Sequence, residues 1–321
     1  MPIRQRRRLR FMPLNSLIPN MLTMLALCAG LTSVRFSLAE KGDVAVVGIL
    51  AAGGVGGLGG RAGSVCVHAL LKTLEPHCHV DVVYPADGEP NFPKGMSVGD
   101  YDGAVISGSG LNVPGGEDDP RVVRQIDFAR SVFEAQVPMF GSCWGLQVAA
   151  SAAGGRVQAS PKGNEMAIAR KITLNSDGRG HPLFEGKISV FDQPAIHVDE
   201  VTHLPSGSVI LAANGFCGVQ AASIIHKGGV FWGVQYHPEF DLDDMARLVR
   251  RYAESLVDQG FFADEAAASE YAEWLQVLHQ NPEREDLSWL LGIDADILDQ
   301  RVRWREIENW ITRLVRPSAQ K

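Results

Sequence analysis

Two short stretches hold the residue types that could do covalent chemistry. In GSCWGLQ, Gly141 to Gln147, a cysteine stands between two glycines, after an apolar run and before a small-residue run. Gly-x-Cys-x-Gly between a strand and a helix has the form of a nucleophile elbow. A sharp turn there needs small neighbours, and glycine lacks the Cβ that would clash. The helix that follows aims its N-terminal N–H groups at the sulfur, which favours a thiolate at Cys143. The second stretch is GVQYHPEF, where His237 and Glu239 are two residues apart and project to one side of an extended segment. Pro238 stiffens that segment and keeps it extended. A thiol nucleophile needs a base and a group that orients the base. His237 can accept the thiol proton, and Glu239 can fix the imidazole tautomer and stabilise its cation.

These residues need elements that bring them together. From Asp43 onward, apolar runs alternate with amphipathic ones. VAVVGIL, HVDVVYP, GAVISGSG and VPMFG read as short buried strands. SVCVHALLKTL and DPRVVRQIDFARSVFEAQ read as helices, the second opening at Pro120. Alternation of this kind predicts an α/β fold: an open, mostly parallel twisted sheet flanked by helices. Residues 156 to 240 are richer in strand patterns, including ARKITLN, ISVFDQPAIHVDEV, SVILAAN, VQAASIIH and GVFWGVQYH. DDMARLVRRYAESLV reads as a closing helix. The expected organisation is a leader over 1–42, an α/β domain over 43–258 and a small helical C-terminal extension over 259–321. That extension holds four of the six tryptophans, Trp274, Trp289, Trp304 and Trp310, read as a mini-core of its own.

The pair GSCWGLQ and GVQYHPE, about ninety residues apart in this order, resembles the class I glutamine amidotransferases. IHVDEVTHLPSG, Ile196 to Gly207, is similar to the glutaminase portion of GMP synthetases. The resemblance covers about residues 65 to 255. It implies a Cys143–His237–Glu239 triad that hydrolyses the glutamine side-chain amide through a γ-glutamyl thioester and releases ammonia. It further implies oxyanion donors at Trp144 and in the turn Gly108-Ser109-Gly110, where the family usually has Gly-Gly-Pro. Gln147 matches a glutamine-binding position. Glu165 lies near the segment that binds the amino-acid end of the substrate, and His197 and Asp199 border the site. No cofactor and no metal are expected. The alternatives are a γ-glutamyl peptidase or hydrolase using the same triad, or a non-catalytic binding protein of the same fold.

Composition narrows the remaining choices. The 321 residues are 45% hydrophobic, enough for a substantial core, and the net charge of −7 argues against binding to nucleic acid. Five cysteines at irregular spacing, with no CxxC pair, fit neither a disulfide framework nor a zinc site and point to a reducing, cytoplasmic setting. The run Met12 to Val34 carries no charge and follows the basic cluster RQRRRLR. As a helix it would span about 34 Å, so membrane contact through this leader is an open expectation. Pro13 to Asp43 resembles the opening of bacterial phosphatidylserine synthases, but Gly56 and Gly59 stand where that family carries metal-binding aspartates. Gly54, Gly56 and Gly59 also fit G-x-G-x-x-G, a weak dinucleotide signal in so glycine-rich a run. The expected partners are glutamine or a γ-glutamyl small molecule, and a separate synthetase subunit that accepts ammonia, with the C-terminal helices as its docking surface.

Overall fold

Alternation of side chains along each strand gives the sheet two apolar faces, and each face has to be covered. The computed structural model describes residues 45–49 and 63–319. The leader, its charge-free run and the glycines at 54, 56 and 59 lie outside the described residues. Eleven strands are present among the described residues: β1 (Ala45–Ile49), β2 (His79–Val83), β3 (Gly103–Ile106), β4 (Met139–Ser142), β5 (Arg156–Ala159), β6 (Glu165–Leu174), β7 (Val190–His197), β8 (Asp199–His203), β9 (Val209–Ala213), β10 (Ala221–His226) and β11 (Gly229–Val234). Nine of them form one sheet in the order β2-β1-β3-β4-β11-β10-β9-β6-β7, while β5 and β8 form a separate ribbon.

The sheet is flanked by helices as expected, and its pairing changes halfway across. β2, β1, β3, β4 and β11 are joined in parallel. From β11 through β10, β9, β6 and β7 the pairing is antiparallel. The sequence run ISVFDQPAIHVDEV divides at Val198: β7 stays in the main sheet and β8 leaves it to pair with β5. Parallel pairing matters most here. Register sets Val234 of β11 opposite Ser142 of β4, and Ile106 of β3 opposite Gly141. Three strands therefore release their chains at the same sheet edge, where ligands of open α/β sheets bind.

Helix α1 (Gly63–Leu74) covers one face, and α2 (Pro120–Glu134) and α3 (Trp144–Ala152) cover the other. Asp119 caps α2, accepting from Arg121 N at 2.8 Å, with Pro120 at the first helical position. Ala104, Ile106, Met139 and Phe231 join the core with α2 and α3, while Val105, Phe140, Trp232 and Val234 face the other way. α4 (Leu242–Arg251) starts in an Asp241–Asp244 capping box. It packs with α5 (Glu265–Gln280) and α6 (Glu285–Leu291) in a third apolar cluster that also takes in Met166, Ala167 and Ile168 of β6.

The four C-terminal tryptophans do not make a mini-core. Trp310, on α7 (Arg305–Trp310), is fully buried in the cluster of α1, β3 and β4, 6.0 Å from the ring of Phe140. Trp304 packs against the same cluster, and Trp274 packs on the α4–α5 cluster. Trp289 is 83% exposed. The missing half of the sheet's cover explains this: with α1 alone on its face, the sheet needs α7 as a second helix. Among the described residues no helix is long and apolar enough to cross a membrane.

This packing predicts unequal costs. Trp310→Ala should lose about 3–5 kcal/mol of unfolding free energy in urea. Trp289→Ala should stay within about 0.5 kcal/mol of wild type. Equal losses would contradict the assignment of Trp310 to the sheet core.

Candidate active site

The turn after β4 has no room for side chains on either side of Cys143. A Cβ on Gly145 would stand 2.2 Å from the carbonyl oxygen of Ile106, and one on Gly141 would stand 2.7 Å from the backbone of Gly145. Strand and helix can approach this closely only because both positions are glycine. Cys143 absorbs the bend with φ 52° and ψ −103°, a left-handed backbone that costs a non-glycine residue about 1–3 kcal/mol. Its N–H donates to Val234 O at 2.8 Å, which ties the turn to β11. Its carbonyl accepts from Leu146 and Gln147 as α3 begins.

The thiol meets the imidazole because β11 runs parallel beside β4. His237 follows Val234 by three residues, and its N–H is held by Pro194 O of β7 at 2.8 Å. Its Nδ1 lies 2.8 Å from Glu239 Oε1, so Nε2 is the ring nitrogen not engaged by the carboxylate. The same Glu239 oxygen accepts from Ser142 Oγ at 2.8 Å. Phe240 stacks on the imidazole, with ring centroids 4.2 Å apart and 10° between planes. Burial alone would lower the pKa of His237. Attraction to Glu239 and Cys143, and hydrogen bonds with both, outweigh burial and raise it to about 10. Cys143, His237 and Glu239 are all buried, with 6% of Cys143 still exposed. The thiol also lies 3.6 Å from Ile196 O.

The other predicted positions occupy different parts of this edge. Gly108 packs against the imidazole so closely that a Cβ would stand 2.6 Å from His237 Cε1. Ser109 Oγ accepts from Leu111 N at 3.2 Å, which shapes the turn after β3. The N–H of Trp144, as the first residue of α3, has no acceptor within the helix. The Trp144 indole points away from the thiol into the core, donating to Gln125 Oε1 at 2.8 Å. Gln147 is buried and donates to Asp199 O at 3.0 Å. The carboxylate of Glu165 is surrounded by donors: His197 Nε2 at 2.8 Å, Gln220 Nε2 at 2.7 Å and Asn214 Nδ2 at 2.6 Å. Its opposite strand partner is His197, whose Nδ1 reaches Asp199 O at 3.0 Å. Glu165 and Gln147 thus belong to one buried polar network behind the thiol.

Sequence reasoning missed Ser142 and Phe240. Both lie inside the quoted motifs, so the motifs held the signal, but a serine between Gly141 and Cys143 gives no hint that it points to a residue 97 positions away. His181 shapes its turn, its Nδ1 accepting from Leu183 N at 3.2 Å.

The model of the family "Glutamine amidotransferase class-I" matches residues 68–252. The chain is 36% identical over 267 residues to a gamma-glutamyl-L-1-hydroxyisopropylamide hydrolase of a Pseudomonas species, covering 82% of this chain and 88% of that protein. It is 36% identical over 139 residues to a GMP synthase of Clostridium tetani, covering 43% of this chain and 24% of that one. Among solved structures, a glutamine amidotransferase from Thermotoga maritima shares the fold with a TM-score of 0.56 at 17% identity, over 86% of this chain and 99% of that chain.

The raised pKa of His237 carries a stability signature. The folded imidazole holds its proton more tightly than an unfolded one, whose ordinary value is about 6.5. Its contribution is complete below about pH 6.5 and fades as pH rises through about 10. The gap in urea stability between wild type and Glu239→Gln should therefore narrow from about pH 7 to above about pH 10. A gap that stays constant over that range would contradict the ion pair.

Proposed function

The chain belongs to the class I glutamine amidotransferase family, a cysteine-nucleophile hydrolase family, and from that premise we propose that it cleaves γ-glutamyl amides through Cys143, His237 and Glu239. One observation carries the reading: the buried His237 imidazole is held by Glu239 at 2.8 Å, and Cys143, on the strained turn beside it, acts on its charge. In the proposed cycle the Cys143 thiolate attacks the γ-carbonyl carbon. Backbone N–H groups at Trp144 and in the Gly108-Ser109 turn take the oxyanion charge. Imidazolium His237 gives its proton to the departing nitrogen as the C–N bond breaks, and the γ-glutamyl thioester remains. Water then loses a proton to His237 and attacks the thioester; the C–S bond breaks to restore the thiolate–imidazolium pair, and the γ-carboxylic acid formed gives its own proton to solvent as it leaves. Glu239, steadied by Ser142, keeps the imidazole turned toward the sulfur throughout. Gln147 and Glu165 act through the buried network that shapes the wall behind the thiol.

The leaving group separates two versions of this reaction. A substituted amine would leave from a γ-glutamyl alkylamide or dipeptide, and ammonia would leave from glutamine. The first version draws support from the likeness to the Pseudomonas amide hydrolase, which runs through most of both chains. The second, ammonia supply to a synthetase subunit, draws on the likeness to GMP synthase, which is limited to 24% of that protein. We favour hydrolysis of substituted γ-glutamyl amides.

The test is a panel of γ-glutamyl alkylamides, γ-glutamyl dipeptides and glutamine, with glutamate, amine and ammonia measured separately. A kcat/KM for a substituted amide at least about tenfold above that for glutamine is expected, a difference of about 1.4 kcal/mol in transition-state binding. A preference for glutamine would favour ammonia supply. Cys143→Ala should lower turnover of every substrate by at least about a thousandfold. Unchanged turnover in that variant would refute the nucleophile.

A further inference from the structure

The segment that carries His237 is held from outside the motif by the C-terminal helices. Tyr236, the residue before His237, is fully buried, and its hydroxyl donates to Glu306 Oε1 of α7 at 2.6 Å. The other oxygen of Glu306 accepts from Lys187 Nζ at 3.0 Å, and both side chains of this ion pair are 0% exposed. Lys187 is committed as well. It donates to Val302 O at 2.8 Å and sits 4.7 Å above the ring of Phe191. Asp296 and Arg305 are the other charges near this ammonium. Burial lowers the pKa of Lys187, and attraction to Glu306 opposes that fall. Burial raises the pKa of the Tyr236 hydroxyl, and Glu306 adds to the rise.

Two further ties run from the same part of the chain to the same segment. Asp296 Oδ2 accepts from Asp192 N at 2.6 Å on β7, the strand whose Pro194 carbonyl holds His237 N–H. Arg303 is buried and attracted by Asp241 and Asp244, just past Glu239 and Phe240. The His237–Glu239 segment is thus flanked on both sides by groups from residues 296–306.

We propose that Glu306 is a positioning residue for the reaction, acting through Tyr236 to hold His237 in line with Cys143, so that the C-terminal helices act on the chemical step. The inference rests on the reading of Cys143 as nucleophile and His237 as its base. A buried charge pair contributes little net stability against an apolar replacement, and a role in fixing geometry gives it another reason to be there. Misplacing a catalytic group by an ångström can cost far more in rate than in folding.

Tyr236→Phe in the full chain tests this most cleanly, because it removes one hydroxyl and leaves the Lys187–Glu306 pair intact. Removing the Glu306 carboxylate alone would strand a buried ammonium, so the double variant Lys187→Met/Glu306→Leu, which leaves Tyr236 no acceptor at this position, is its companion. Two measurements are made on protein shown to be folded by circular dichroism. One is kcat and KM on the best γ-glutamyl substrate. The other is the rate of Cys143 alkylation by iodoacetamide against pH, read by peptide mass, which reports the thiolate without any substrate. In both variants kcat should fall about tenfold with KM nearly unchanged, and alkylation near pH 7 should slow with its midpoint moving to higher pH. Folded variants with wild-type kcat and a wild-type alkylation profile would overturn the proposal. So would a loss of rate that only tracks the loss of folded protein. A wild-type Cys143 that iodoacetamide never modifies would overturn the reading of the reaction, and this inference with it.

Discussion

The contact on which the rest of the site depends involves no side chain. The backbone of Gly145 lies against the carbonyl of Ile106, where a single methyl group would stand at 2.2 Å. That approach lets α3 begin directly behind β4, and the chain makes the change of direction in one residue. Cys143 takes the strained backbone, and its sulfur is lifted to the sheet edge at the positive end of a helix. Parallel ladders on both sides of β4 hold the strand that leads into this residue.

The sheet sets this local geometry beside the other candidate site residues. β3, β4 and β11 are parallel neighbours, so the turn at Gly108, the thiol and the imidazole leave the sheet side by side. Charge does the rest. Burial would lower the pKa of this imidazole, and attraction to Glu239 and Cys143 outweighs burial and raises it.

Much of this was legible in the residues. The glycines at 141 and 145 announced the tight turn at Cys143, the spacing of His237 and Glu239 announced their contact, and short apolar runs located most strands, though not the polar β5. The missing parts are those set by long-range packing. Nothing local in VPMFG and GVFWGV states that β4 and β11 will be neighbours, because strands pair wherever the whole sheet can be covered. The antiparallel half of the sheet and the departure of β8 at Val198 have the same origin. The aromatic residues near the C-terminus looked self-contained because helical spacing cannot tell a private core from a shared one. Trp310 instead completes the cover of the sheet, and Glu306 reaches the residue before His237.

The central claim is that Cys143, among the thiols of the described residues, is the one poised for attack at a γ-glutamyl carbonyl. Its most direct test is peptide mapping after brief treatment with a chloroketone that copies the γ-glutamyl group. The account predicts a single adduct on the peptide that carries Cys143, suppressed by an excess of the hydrolysed amide. Adducts spread over Cys66, Cys78 and Cys217, with Cys143 unmodified, would contradict it.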